Sequence, residues 1–179
     1  MFLEMGCALG GSAIVICASK KKERILQIYD VFGMIPPPSS QDGEEVIKRY
    51  EVIKNGLSDG IDGNPYYGYE ENLIDKVKDN FKQSGFPAFE NNVTLVKGLF
   101  EDTLEINSPV AFAHIDGDWY ESVKVCLERI VPFLVSGGTM VIDDYYHWAG
   151  CKKAVDEYFL NIDSKYIFEK KSRLHIIKK

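Results

Sequence analysis

The sequence has little of what marks a disulfide scaffold, a thiolate metal site or a nucleic-acid surface. It holds four cysteines, Cys7, Cys17, Cys126 and Cys151, none in a Cys-x-x-Cys pair. Each falls in or beside an expected strand or helix, so all four read as reduced packing residues. Basic residues are outnumbered, 21 against 27 acids, for a formal net charge of −6, and they form no stripe. That argues against a nucleic-acid partner, which needs a basic footprint. No apolar run approaches the roughly 18 residues that span a bilayer, and the start lacks a charged segment leading into an apolar signal core. The expectation is a cytoplasmic protein with no membrane partner. There is no internal repeat and no low-complexity tract. At 179 residues the chain is expected to form one domain, residues 1–179, with a sizeable core.

What is present is concentrated in residues 110–145, VAFAHIDGDWYESVKVCLERIVPFLVSGGTMVIDDY. Two short β-branched runs, residues 110–115 and 139–142, are bounded by turn residues and read as buried parallel strands. The first runs into Asp116 and Asp118, the second into Asp143 and Asp144. Between them, residues 121–134 carry Val123, Leu127, Ile130, Val131 and Leu134 at a helical period, with Ser136-Gly137-Gly138 as the stop. A strand–helix–strand crossover sets neighbouring strands parallel, so both acidic clusters emerge at one carboxyl edge, where open α/β sheets bind ligands. Four carboxylates in one crevice repel each other unless a proton or a cation stands among them. A hard divalent metal is the expected occupant.

Upstream, residues 1–16 pass from a short apolar strand through Glu4 to Gly6, Gly10 and Gly11, and Ser12 opens a helix. Glycines let a backbone approach a ligand, and the helix start offers unpaired N–H groups. Gly6-x-Ala8-x-x-Gly11 also passes for a degenerate dinucleotide fingerprint, and such turns occur with no ligand at all. Residues 25–29 read as the second strand and end at Asp30, an acid placed to accept hydrogen bonds from ribose hydroxyls. The third strand, residues 93–96, leads to Gly98 and Phe100 at the same edge, where they could frame an adenine ring.

Residues 33–69 leave the alternating pattern for a proline run, a polar turn, a helical segment near 44–54 and a Gly/Asp/Asn-rich stretch with Tyr66, Tyr67 and Tyr69. So long an insertion reads as a lid, its tyrosines either packing it down or touching substrate. Residues 70–84 form an amphipathic helix that covers the sheet, and residues 151–160 form another. Residues 166–168 and 174–177 flank a charged turn as a closing antiparallel hairpin. His114 reads as a core residue on a buried strand, and His147 as a loop residue facing either the crevice or solvent. Asp118 alone could cap the helix that begins near Tyr120, but one cap does not account for four acids.

Taken together, Glu4-Met5-Gly6-Cys7-Ala8-Leu9-Gly10-Gly11-Ser12, Asp30, Pro36-Pro37, Gly98 with Glu101-Asp102-Thr103-Leu104, Ile115-Asp116-Gly117-Asp118-Trp119-Tyr120-Glu121-Ser122, and Gly137-Gly138 through Asp143-Asp144-Tyr145 to Trp148-x-Gly150 resemble the macrocin-type O-methyltransferases. The resemblance runs nearly end to end, and its specific parts are the Asp-Gly-Asp and Asp-Asp-Tyr blocks. It implies a Rossmann-like class I methyltransferase fold: α/β, with a mostly parallel seven-stranded sheet and an antiparallel C-terminal hairpin. It implies S-adenosyl-L-methionine as cofactor and Mg²⁺ bound by Asp116, Asp143 and Asp144, with Asp118 as general base. Glu4, Gly6, Ser12 and Asp30 would line the cofactor site, joined by Gly10, Gly98, Phe100 and Asp116. The implied acceptor is a small molecule, a sugar hydroxyl first among them, and a homo-oligomer is allowed. Members of the family carry additional helical chain before the glycine motif, whereas here the first strand starts at Met1 or Phe2. Two other readings stay open at this point. One is a truncated, non-catalytic homologue that binds cofactor or a partner chain. The other is a nicotinamide-dependent oxidoreductase, for which no tyrosine–lysine or histidine arrangement stands out.

Overall fold

The computed structural model describes residues 1–179, except for the side chain of Ile61. Its centre is a seven-stranded sheet built from β1 (Phe2–Met5), β2 (Leu26–Asp30), β3 (Val93–Lys97), β4 (Val110–Ile115), β5 (Leu134–Ile142), β6 (Tyr166–Lys170) and β7 (Leu174–Lys178). The strand order is β3-β2-β1-β4-β5-β7-β6. The first five strands are parallel, and β7 pairs antiparallel with both β5 and β6. The expected fold class, hairpin included, is the one found. Because β1, β2, β3, β4 and β5 run the same way, Gly6, Asp30, Gly98, Asp116 and Asp143 all arrive at one edge.

Strand alternation divides the core between the two faces. Leu3, Met5, Ala113, Ile115, Met140 and Ile142 pack with α5 (Tyr120–Ile130) and α6 (Ala149–Phe159) on one side. Leu26 and Ile28 pack with Ala13 and Cys17 of α1 (Gly11–Ser19) and with Leu73, Val77 and Phe81 of α3 (Leu73–Gln83) on the other. All four cysteines are free and buried, as packing residues should be. No helix among the described residues is long and apolar enough to cross a membrane.

Three boundaries differ from the sequence reading. The crossover helix ends at Ile130 rather than Leu134, because Pro132 follows in a 3₁₀ turn and has no N–H to continue the ladder. Strand β5 then begins at Leu134 and carries Ser136-Gly137-Gly138 inside it, with a register irregularity opposite Val110 and Phe112 and Gly137 at φ +74°. Glycine at a positive φ is how an irregular strand absorbs an extra residue. The third departure is α4 (Phe100–Thr103), a single turn too short to show a period.

The insertion at 33–69 is ordered by hydrogen bonds. It contains α2 (Glu44–Lys54) and 3₁₀ turns at Ile61–Gly63 and Tyr67–Tyr69. Asp42, nearly inaccessible to solvent, accepts from Ser39 N with Oδ2 and from Tyr120 N with Oδ1 at 2.6 Å. The insertion thus supplies the side-chain cap of α5 that Asp118 was considered for. Gly150 leaves the room this needs, since a Cβ there would stand 2.1 Å from Asp42 Oδ1. Trp119 Nε1 donates to Pro36 O at 2.9 Å, and Tyr69 Oη donates to Ile53 O at 2.6 Å.

Candidate active site

The β1–α1 turn follows directly from its sequence. Gly6 sits at φ +81°, and a Cβ there would stand 2.0 Å from the carbonyl oxygen of Asp116, so only glycine lets strands β1 and β4 end side by side. Gly10 is left-handed as well, and Ala8, Phe32 and Asp118 are non-glycine residues at positive φ, all three along this edge. Strained backbone concentrated at one rim points to function there. Asp30 spans the turn: Oδ2 accepts from Cys7 N at 2.7 Å and Oδ1 from Phe32 N at 2.6 Å.

A narrow cleft of about 80 Å³ runs along the edge, with Gly6, Asp30, Phe100, Asp116 and Asp118 in its wall together with Ala8, Tyr66, Tyr67, Gly117 and Ser122. Of the residues expected at a cofactor, Gly6, Asp30, Phe100 and Asp116 line it. Glu4, Gly10, Ser12 and Gly98 stand behind the wall. Ser12 Oγ donates to Glu4 Oε1, Gly10 is the N-cap residue just before α1, and Gly98 N donates to the carbonyl of Asp30 at 3.0 Å. Ser122 and Gly117 were not singled out from sequence, although both lie in the Asp-Gly-Asp block.

The acids divide. One carboxylate oxygen each from Asp116, Asp118 and Asp144 lies within 4.8 Å of the others. Burial, then the charges of Asp118, Asp144 and Asp143, push the Asp116 carboxyl up to about 9. Burial and the Asp144 charge raise Asp118 to about 7, opposed by a hydrogen bond from Trp148 Nε1 at 3.2 Å. Asp144 is raised by burial, and its Oδ2 is buried with no hydrogen-bond partner. Oxygens so close and so poorly satisfied fit a hard divalent cation, whose charge would replace the protons they otherwise retain.

Asp143 stands outside that trio. Its Oδ1 accepts from Arg173 Nε at 2.7 Å and lies 3.3 Å from His114 Nε2. The His114 bond first, then Arg173, hold its carboxyl down to about 2 against burial. His114 Nδ1 lies 3.2 Å from Glu4 Oε2, at ion-pair distance but off the hydrogen-bonding direction. Burial works against charge on His114, yet Asp143 and Glu4 outweigh it and raise the imidazole to about 10. A polar chain therefore runs Ser12–Glu4–His114–Asp143–Arg173 under the turn. His114, expected as a core residue, is the middle of an ion-paired chain. His147 is exposed, and its backbone N–H donates to Asp144 O at 2.9 Å.

Beyond Asp118 a second cleft, about 270 Å³, is walled by Trp119, Trp148, Tyr66, Tyr67, Ile53 and Arg49. The two indoles meet edge to face, 5.8 Å between centroids. Nothing in the sequence marks Trp119, Trp148 and Arg49 as lining one cleft, because it forms only when the insertion folds against the start of α5.

Comparison with known proteins bears on the family and the fold. The sequence profile of the macrocin O-methyltransferase (TylF) family matches residues 1–165. Demethyldecarbamoylnovobiocin O-methyltransferase of Streptomyces niveus is 35% identical over 168 residues, covering 90% of this chain and 58% of the relative. Mycinamicin III 3''-O-methyltransferase of Micromonospora griseorubida is 27% identical over 163 residues, 87% of this chain and 59% of the relative. The chain thus spans under three fifths of the length of either. Among solved structures, the O-methyltransferase NovP superposes with a TM-score of 0.76 at 24% identity, over 99% of this chain and 70% of that one, which bears on the fold.

Proposed function

The chain belongs to the macrocin O-methyltransferase family, and from that premise we propose that it transfers the methyl group of S-adenosyl-L-methionine to a hydroxyl of a sugar or natural-product glycoside, with Mg²⁺ among the carboxylates. The observation that carries the reading is the convergence of Asp116, Asp118 and Asp144 at the meeting of the two clefts. The first cleft takes the cofactor. Gly6 to Ala8 present backbone to it, Asp30 fixes that turn and faces the ribose, and Phe100 flanks the adenine. At about 80 Å³ it is smaller than typical ligand pockets of about 300–1,000 Å³, so Tyr66 and Tyr67, which border both clefts, draw back to admit the nucleoside. Residues 33–69 act as the lid of a single domain.

Asp116 and Asp144 are the metal donors, and Mg²⁺ bound there would lower the pKa of an acceptor hydroxyl. Asp143 is the third donor implied by the family resemblance, and to serve it has to leave Arg173. Asp118, across the trio from those donors, would accept the proton of the acceptor hydroxyl as its oxygen attacks the methyl carbon. Trp148 orients it through Oδ1. Trp119 and Trp148 offer flat apolar faces for the acceptor ring. Most of the rate would come from holding the two reacting atoms in line, since the methyl is already activated on sulfur.

Calorimetric titration with S-adenosylhomocysteine and with NAD, each with and without Mg²⁺, tests this. The reading expects S-adenosylhomocysteine to bind and NAD not to. Failure of S-adenosylhomocysteine to bind under either condition would remove it.

A further inference from the structure

The second cleft is lined by two acids, Asp118 and, on the insertion, Asp59, and by one base, Arg49. Asp118 lies at its inner end, next to Asp116 and Asp144. On the wall supplied by α2 stands Arg49, the only basic side chain among the residues that line it. Its guanidinium donates one hydrogen bond, from Nη2 to Ser58 Oγ at 2.8 Å. Ser58 is buried and donates in turn to Asp59 O at 3.1 Å. No carboxylate of the described residues lies at ion-pair distance from Arg49, although the exposed lysines of the same helix, Lys48 and Lys54, each have one. The support is firm on both sides: Ile53 packs α2 inward, and Tyr69 Oη ties the end of the helix to the following turn. A guanidinium has five N–H donors in a fixed fork suited to two oxygens of one anion. Arg49 is exposed and lines the cleft, and one donor orients its fork while the others make no hydrogen bond among the described residues.

We propose that Arg49 reads an anionic group, a phosphate or a carboxylate, carried by the acceptor glycoside in the second cleft. This rests on the proposed function and deepens it by naming the acceptor's charge. It also explains how an acceptor with several hydroxyls is oriented. Arg49 holds the anionic group on the wall supplied by α2, so a hydroxyl distant from that group is the one that meets Asp118. The aromatic walls between them take the ring.

The chain's two tryptophans, Trp119 and Trp148, both line this cleft, so intrinsic fluorescence reports its occupancy. Metal-free protein with S-adenosylhomocysteine present would be titrated with glucose 1-phosphate, glucuronate and methyl glucoside. At least one anion should give a saturable change about tenfold tighter than the neutral glycoside, and whichever anion is favoured identifies the group. Arg49→Met should abolish the difference, Arg49→Lys should keep part of it, and Ser58→Ala, which removes the orienting bond together with the Ser58–Asp59 bond but leaves the guanidinium, should keep most. No saturable response to either anion, or a preference that survives in Arg49→Met, overturns the proposal. Calorimetry with S-adenosylhomocysteine on the same samples separates the two failures. If it binds while the anions do not, only the role of Arg49 falls. If it does not bind, the proposed function falls, and the anion titrations repeated without it still decide Arg49.

Discussion

Asp143 and Asp144 are neighbours in the chain and opposites in the molecule. Asp143 has two cationic partners and a carboxyl held down to about 2, whereas Asp144 has a buried oxygen with no partner and a carboxyl raised by burial. Strand geometry explains the division. Side chains alternate faces, so Asp143 continues the face of Val141, and Val141 is in register with His114, which is in register with Glu4. That face carries the polar chain from Ser12 to Arg173. Asp144 turns the other way, to Asp116 and Asp118. In the chain, charge holds the fold together; in the trio, the fold holds charges together against their repulsion. Binding sites are expected to be of the second kind, because a ligand has something to relieve there.

The contrast is broken most strongly at Asp118. Asp118→Asn keeps the shape and loses the basicity. It is expected to bind S-adenosylhomocysteine normally and to lose about 10²–10⁴-fold in single-turnover methyl transfer to an accepted glycoside. A wild-type rate would show that the proton leaves by another route. Next comes the chain itself. His114→Ala strips Glu4, which has 0% exposure, of its cationic partner, and urea denaturation should register a loss of about 3–5 kcal/mol. A change below about 0.5 kcal/mol would mean that the chain does not stabilise the fold. A smaller loss, about 1–2 kcal/mol, is expected for Asp42→Ala, which uncaps α5 and frees the start of the insertion; an unchanged urea midpoint would deny the cap its role.

In their pH dependence the two regions act in the same direction. Asp116 and Asp118 have folded values raised from 3.8 to about 9 and about 7. Above pH 3.8 the unfolded chain sheds protons that the folded chain retains, so metal-free stability falls as pH rises to about 9. His114 is raised from 6.5 to about 10, so its contribution is complete below pH 6.5 and is lost as pH climbs through 10. Thermal melts in chelator from pH 5 to 9 should therefore decline steadily, and Asp118→Asn should flatten the lower part of the curve. A melting temperature that rises over this range would contradict the assigned shifts.

Much of this was legible in the sequence because the signals are local. A β-branched run ending in acid marks a strand and the edge it reaches, as at Asp116 and Asp143, and glycines between a strand and a helix mark a close backbone approach, as at Gly6. The acid at the second strand tip, Asp30, was legible by its position. What escaped depends on partners far away in the chain. Asp42 looks like a residue of a polar turn until Tyr120 N is brought to it, and Arg173 looks like a hairpin charge until it meets Asp143. Glu4 and Ser12 were expected against the cofactor, but their oxygens are directed to each other and to His114. Alternation sends Asp143 and Asp144 opposite ways, but the partners that claim Asp143, His114 and Arg173, are distant in the chain, so four acids read as one cluster when only three converge.

Thermal melts with and without Mg²⁺ at neutral pH distinguish a cation held at Asp116, Asp118 and Asp144 from one held on the polar chain at Asp143. Wild type should gain stability from the ion. Asp144→Asn should melt at or above the wild-type temperature in chelator, because one repelling charge is gone, and should gain almost nothing from Mg²⁺. Asp143→Asn should melt lower in chelator, having lost the partner of Arg173 and His114, yet keep most of the gain. Equal Mg²⁺-induced gains in wild type and Asp144→Asn, or a gain abolished in Asp143→Asn and retained in Asp144→Asn, would contradict the account.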